Sequence, residues 1–297
     1  MPSYTVEEIA SQPDCWQRAV DELPRHAPAL PAAGERVAVA GCGTSWFMAQ
    51  SYAALREAAG HGTTDAFAAS EAPPRPGHYD RLVVLTRSGT TTEVLQLLEA
   101  VRGTVRTTAV TAVPESPVTA LADTTVALEY ADERSVVQTR FPTTQLMLLR
   151  AHLGGHPDRA VADAAAAVTR ELDPAVTGAG QLTFLGTGWS YGLAQEAALK
   201  VREAAAFWSE AYPAMEYRHG PIGIAAPGRA VWSLGPLPDG LPEQIAATGA
   251  GLVRPELDPL AELVLVQRVA VALAAARGRD VDNPPHLTRS VVLGGGA

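Results

Sequence analysis

Lysine is almost absent from this chain. Of its 23 basic residues 22 are arginine, and the single lysine is Lys200. Arginine stays protonated under all ordinary conditions, whereas a lysine can give up its proton, so the lone lysine is a position to follow. Cysteine is scarce as well. Cys15 and Cys42 are the only two in 297 residues, which excludes a disulfide framework and a spaced Cys/His zinc cluster. Positive charge is in deficit: 32 acidic residues give a net charge of −9. That argues against a nucleic-acid-binding surface and leaves room only for a local basic pocket. The polar, acidic start MPSYTVEEIASQP is unlike a signal peptide. The apolar stretch Leu260–Ala276 carries Glu262, Gln267 and Arg268, so it reads as a buried helix and not as a membrane span. A cytoplasmic protein without membrane or nucleic-acid partners is the expectation.

What is present is a globular composition, 47% hydrophobic and 19% charged. Residues 1–35 read as an N-terminal helical arm over Thr5–Leu23, interrupted near Pro13, and a Pro-broken connector. Short apolar runs follow at Arg36–Ala40, Leu82–Thr86, Val105–Val110 and Thr124–Leu128. Helical stretches at Ser45–Ala59, Thr91–Arg102 and Thr143–Leu153 lie between or after them. This is the β-α-β rhythm of a parallel sheet flanked by helices. After an alanine-rich helix at Arg159–Leu172 a second series begins. It has strands at Leu182–Leu185, Ala230–Leu234 and Gly251–Arg254 and helices at Tyr191–Ala206 and Leu260–Ala276. The expected domains are therefore 36–155 and 156–297.

The halves repeat. GCGTSWFMAQ from Gly41 and GTGWSYGLAQ from Gly186 share five of ten residues at one constant offset of 145. Such a match after a strand in each half points to duplication of one α/β domain. Each strand-turn-helix junction presents backbone N–H groups and a helix dipole to an anion. In the first half the turn is Gly41-Cys42-Gly43-Thr44-Ser45. A second junction runs Thr86-Arg87-Ser88-Gly89-Thr90-Thr91-Thr92-Glu93. Ser45, Thr86, Ser88 and Thr91 can encircle one phosphate. Helix capping explains either loop alone, and Thr90 to Glu93 has capping-box spacing. Two hydroxyl-rich loops on neighbouring parallel strands favour phosphate, because ligands gather at the carboxyl ends of such strands.

In the second half Glu196, Lys200 and Glu203 stand at i, i+4 and i+7, on one helix face. A solvated salt-bridge row is the plain alternative to a carboxylate base beside a cation in a cleft. The alanine-rich surroundings favour the cleft. His219 sits in a turn, Arg218-His219-Gly220-Pro221, where it can act as a proton shuttle or serve structure alone.

Four segments carry a family resemblance: GCGTS at 41–45, TRSGTTTE at 86–93, ALKVREAAAFWSEAYPAMEYRHGP at 198–221 and DVDNPPHLTRSVVL at 280–293. The chain resembles tandem sugar-isomerase (SIS) domains, as in the isomerase portion of glucosamine-6-phosphate synthase. It is similar also to the amino-sugar-phosphate deaminase/isomerase branch. The resemblance implies an α/β fold of two SIS domains, Rossmann-like and flavodoxin-type. It implies that Gly43, Thr44, Ser45, Thr86, Ser88 and Thr91 bind the sugar phosphate, and that Glu203 moves a proton between C1 and C2. His219 would open the sugar ring from a neighbouring subunit of a homodimer, and Lys200 and Glu196 would line the same pocket. No metal or organic cofactor is implied.

Two residues depart from the pattern. Arg87 stands where the synthase has an uncharged residue, and can be a second phosphate contact. Arg289 stands at the lysine of the family's C-terminal tail. An arginine does not form the Schiff base that such a lysine forms with a ketose, though it can hydrogen-bond sugar hydroxyls. The expected function is sugar-phosphate isomerisation or deamination. A non-catalytic sugar-phosphate-binding module and a fructosamine-phosphate deglycase are the alternatives.

Overall fold

A computed structural model describes residues 3–72 and 77–294. The last three residues of the expected second domain and the first two of the arm lie outside the described residues. The chain opens with α1 (Tyr4–Ala10), α2 (Gln12–Asp21) and α3 (Leu23–His26). The arm is interrupted at Ser11, two residues before Pro13. Pro13 occupies the first turn of α2, where a missing N–H costs nothing because no intrahelical partner exists.

The chain then builds two compact units. The first comprises Asp14–Glu133, Arg140–Pro157 and the tail from Thr288. The second comprises the chain up to Pro13, Arg134–Thr139 and Asp158–Leu287. The chain passes from the second unit to the first after Pro13, and returns to the first at Thr288.

The first unit holds one parallel sheet: β1 (Val37–Gly41), β2 (Thr64–Ala68), β3 (Arg81–Leu85), β4 (Arg106–Thr111) and β5 (Thr124–Ala127). Its order is β2-β1-β3-β4-β5. Strands β1 and β3 are buried at every residue, as strands covered on both faces must be, and their sequences VAVAG and RLVVL are accordingly near-continuous apolar runs. Helices α4 (Thr44–Ala58), α5 (Thr92–Val101), α6 (Pro117–Leu121) and α7 (Arg140–His152) flank them. One side of the core joins Val84, Leu98, Val94 and Val118.

The second unit carries α8 (Pro157–Thr169), α9 (Pro174–Thr177), β6 (Leu182–Gly186), α10 (Ser190–Ala205), β7 (Ser209–Pro213), β8 (Ala230–Ser233), α11 (Leu241–Ala247), β9 (Gly251–Val253) and α12 (Pro259–Ala276). Its parallel sheet is ordered β7-β6-β8-β9. Each sheet thus places its first strand between the second and the third. The 145-residue offset of the repeated motif also relates β1 to β6 and β2 to β7.

Strands β2 and β7 escape the sequence pattern. Both are edge strands with mixed sequences, TDAFA and SEAYP, half-exposed over most of their length. Helix α12 is 18 residues long and, by length and composition alone, apolar enough to cross a membrane. It is instead largely buried in its unit, and Glu262 and Gln267 on it are bonded internally. Glu262 accepts from the Trp232 indole at 3.2 Å and from the Glu256 and Leu257 amides. Gln267 accepts from Gln12 at 2.6 Å. This is a core helix.

Candidate active site

Glycine makes both strand-turn-helix junctions possible. A Cβ on Gly41 would lie 2.7 Å from the Ser45 backbone, and one on Gly186 would lie 2.4 Å from the Ser190 carbonyl oxygen. Gly43 (φ 53°) and Gly188 (φ 57°) take the left-handed backbone in the matching turns. The two loops then diverge. Ser190 closes its own turn, accepting from the Thr187 amide at 2.9 Å and donating to the Thr187 carbonyl at 3.0 Å. Ser45, at the equivalent place, makes no such side-chain bond among the described residues, although it is buried.

The loop after β3 supplies the second set of hydroxyls. Strand order reverses between β1 and β3, so the loops after these strands meet at the switch point where open α/β sheets collect ligands. Neither helix that starts there is capped by a side chain. Gly43 stands at the N-cap of α4 and Thr91 at that of α5, both without a capping bond. The capping-box alternative therefore fails: Thr90 bonds Ser88 at 3.0 Å and Ser290 at 2.9 Å instead. Thr86 accepts from the Gly89 amide at 3.2 Å, and Ser88 from the Thr90 amide at 3.2 Å, so these hydroxyls shape the turn. Thr44 and Ser45 open α4, both buried. Burial and then the nearby Glu93 push the Cys42 thiol up to about 11, which keeps it in the thiol form at neutral pH.

Arg87 follows Thr86 in this loop. Its guanidinium is buried, 3.4 Å from the equally buried Glu133, and donates to the Arg289 carbonyl at 2.7 Å. A buried carboxylate without a cation is costly, and Glu133 claims the arginine. Arg289 is tied down likewise, to Asp132 at 2.5 Å and to the Glu133 carbonyl. The tail continues over α5: the Val291 carbonyl accepts from the Thr92 amide at 3.1 Å, and the Leu293 amide donates to Thr92 Oγ1 at 2.8 Å. Asp132, Glu133 and Ser290 were not legible as partners of these groups. An acidic pair in ADERS has no spacing signal that links it to positions some 45 and 157 residues away.

In the second unit, the row on α10 is no solvated face. Glu196 is fully buried and Lys200 is 1% exposed. Lys200 Nζ lies 3.4 Å from Glu196 and donates to Glu203 at 2.5 Å. Glu203 keeps partial access, with 21% of its side chain exposed. Helix α10 packs on β6, β7 and α12, and this buries the row's inner end. Burial pushes the neighbouring Arg202 guanidinium below its ordinary value, against the pull of Glu203 and Glu196. The helix ends at Ala206, which takes the left-handed conformation (φ 45°) as its C-cap. His219 is exposed, in the turn after a 3₁₀ segment, and no bond joins it to Glu203 among the described residues.

The first unit therefore carries two hydroxyl-rich loops, after β1 and β3. The second unit carries a partly accessible carboxylate, Glu203, on the buried Lys200. No protein-family model matches the chain. It is 28% identical over 354 aligned positions to the glutamine–fructose-6-phosphate aminotransferase (isomerizing) of Aeropyrum pernix, covering 98% of this chain and 57% of that protein. The chain thus spans about half the length of the curated relatives it matches. The resemblance to sugar-isomerase proteins holds. Glucosamine-6-phosphate deaminase from Thermotoga maritima superposes with a TM-score of 0.81 at 22% identity, over 98% of this chain and all of that one. The C-terminal domain of the glucosamine-fructose-6-phosphate aminotransferase of Francisella tularensis gives 0.80 at 20%, over 96% and 99%. These likenesses establish the α/β sugar-isomerase fold.

Proposed function

We propose that this chain is a sugar-phosphate isomerase or deaminase built from two tandem SIS domains, arisen by duplication. Its substrate is a phosphorylated amino sugar or ketose of the hexosamine 6-phosphate type. One observation carries the reading: the buried Lys200 held between Glu196 and a partly accessible Glu203. Taking the Glu196 and Lys200 charges out of water costs several kcal/mol per ion, and well-packed apolar residues would be as stable or more so. Such a row is explained when one member does chemistry.

In the proposed reaction the phosphate takes the amides and hydroxyls of Gly43, Thr44, Ser45, Thr86, Ser88 and Thr91. His219, supplied by the partner in a homodimer, opens the ring. Glu203 removes the C2 proton of the open-chain aldehyde, which gives an enolamine from an amino sugar or an enediol from a hydroxy sugar. The same carboxyl returns the proton to C1. From the amino sugar this yields a 2-imine, which water hydrolyses to ketose phosphate and ammonia. Lys200 orients Glu203, and Glu196 holds Lys200. Arg87 and Arg289 serve the tail and do not touch substrate. A second reading, sugar-phosphate binding without turnover, draws support from Arg289, whose guanidinium is committed to Asp132 where the family uses a lysine.

The test is incubation with glucosamine, galactosamine and fructosamine 6-phosphates, with ammonia and ketose phosphate measured. The proposal expects product from one of them and a loss of roughly 10²–10⁴-fold in Glu203→Gln. Saturable phosphate-dependent binding with no product from any of them would establish the second reading instead.

A further inference from the structure

In the second unit a cavity of about 290 Å³ opens where α1, the end of α8 and α12 meet. Val6, Ile9, Val168, Leu172, Val271 and Ala275 line it, and these are aliphatic throughout. One charged side chain shares the lining, Arg268. Its guanidinium is fixed in place: Nη1 donates to the Ala167 carbonyl at 2.7 Å and to the Arg170 carbonyl at 2.5 Å. These carbonyls end α8, so a plain helix-capping role accounts for one nitrogen. It does not account for the rest. Nε and Nη2 donate to no described residue, and no described carboxylate lies within ion-pair distance of this guanidinium. The neighbouring Arg170 has taken Glu256. Burial holds Arg268 below its ordinary pKa, with no acidic group to oppose it.

The cavity therefore has an aliphatic wall and, among its lining residues, one arginine held by Nη1 whose Nε and Nη2 have no acceptor among the described residues. Nε–H and Nη2–H form the fork that matches a carboxylate in a bidentate pair. We propose that this cavity binds an aliphatic monocarboxylate, its hydrocarbon body against α1 and α12 and its carboxylate on the Arg268 fork. The site lies wholly in the unit that carries Glu203 and does not depend on the reaction proposed above.

Binding of butanoate, hexanoate and octanoate to the full chain, followed by titration calorimetry, tests this. Each added methylene should tighten binding about fourfold until the cavity is full. Octanol should bind at least tenfold more weakly than octanoate. Arg268→Gln should erase the preference for octanoate over octanol and leave octanol binding in place. Because that variant also uncaps α8, Ala272→Phe serves as the second, since it fills the cavity with the arginine intact; it should abolish binding of both. The proposal is overturned if octanoate shows no saturable binding at millimolar concentration, or if Ala272→Phe binds it unchanged. A wild-type dimer that Ala272→Phe dissociates, with no octanoate bound in either, would assign the face to a second copy and overturn it equally.

Discussion

Replacing Lys200 by methionine probes the buried row with little change in shape. Methionine keeps most of the side-chain volume and removes the charge. Glu196, fully buried, then keeps its carboxylate without the cation 3.4 Å away, and Glu203 loses its 2.5 Å partner. Breaking a buried pair by removing one member costs about 3–5 kcal/mol, because the other charge is stranded. For a unit of this size that is a fall of roughly 6–20 °C in melting temperature. The sign with pH follows. The stranded carboxyl of the variant is held above its unfolded pKa of about 4.3. The folded variant therefore binds more protons than the unfolded chain, and its stability falls as pH rises, by up to about 1.4 kcal/mol per unit. Urea unfolding of the wild type, Lys200→Met, Glu196→Gln and the double variant, each at pH 5 and pH 8, measures all of this. The double variant should recover most of the loss. A loss below about 1 kcal/mol in Lys200→Met, equal at both pH values, would mean that the row is solvated and the reasoning wrong.

Arg87→Gln should destabilise the first unit by about 3–5 kcal/mol through stranded Glu133, and proteolysis should reach the tail sooner; a stable variant with weakened sugar-phosphate affinity would restore Arg87 to the phosphate. Asp282 accepts from the Ser3 and Thr5 hydroxyls and from the Tyr4 and Thr5 amides, so it caps α1 across the length of the second unit's sequence. Burial alone would raise its pKa, but these bonds hold it below the ordinary carboxylate value. Its contribution is complete above an unfolded pKa of about 3.9 and is lost as pH falls through the lower folded value. Asp282→Ala should cost about 1–2 kcal/mol at pH 7 and little at pH 2, as judged by denaturant midpoints. Burial, followed by His61 and Arg56, lowers the pKa of His152. That group should favour the folded state above about pH 6.5 and release its contribution as pH falls through its lower folded pKa, so His152→Leu should flatten the stability profile there.

The central strands and their helices were readable because burial on both faces writes apolar runs such as Arg81–Leu85 into the sequence. The edge strands Thr64–Ala68 and Ser209–Pro213 were not, since half-exposed positions accept almost any residue. The constant offset of the two glycine loops was legible because both glycines answer a steric demand, the approach of the following helix. Which serine closes its own turn was not: Ser45 and Ser190 are the same residue type, and the backbone groups that Ser190 bonds carry no sequence signal. The spacing of Glu196, Lys200 and Glu203 gave a shared face, but not its burial, since α10 packs on β6, β7 and an α12 more than 50 residues away. Arg87 shows the limit most clearly, since nothing in its spacing announces the buried Glu133 that lies 3.4 Å from its guanidinium.

The central claim is that Glu203 carries a proton between adjacent carbons of a sugar phosphate. The most direct measurement is incubation with the substrate in D₂O, followed by NMR or mass spectrometry of the carbon-bound positions. The account predicts deuterium at C1 or C2 of the recovered sugar phosphate in the presence of wild-type protein. It predicts none above background with Glu203→Gln, although that variant still binds the phosphate. Product formed without solvent deuterium can reflect proton transfer shielded from solvent, so Glu203→Gln decides the matter. Turnover and exchange unchanged in that variant would contradict the account.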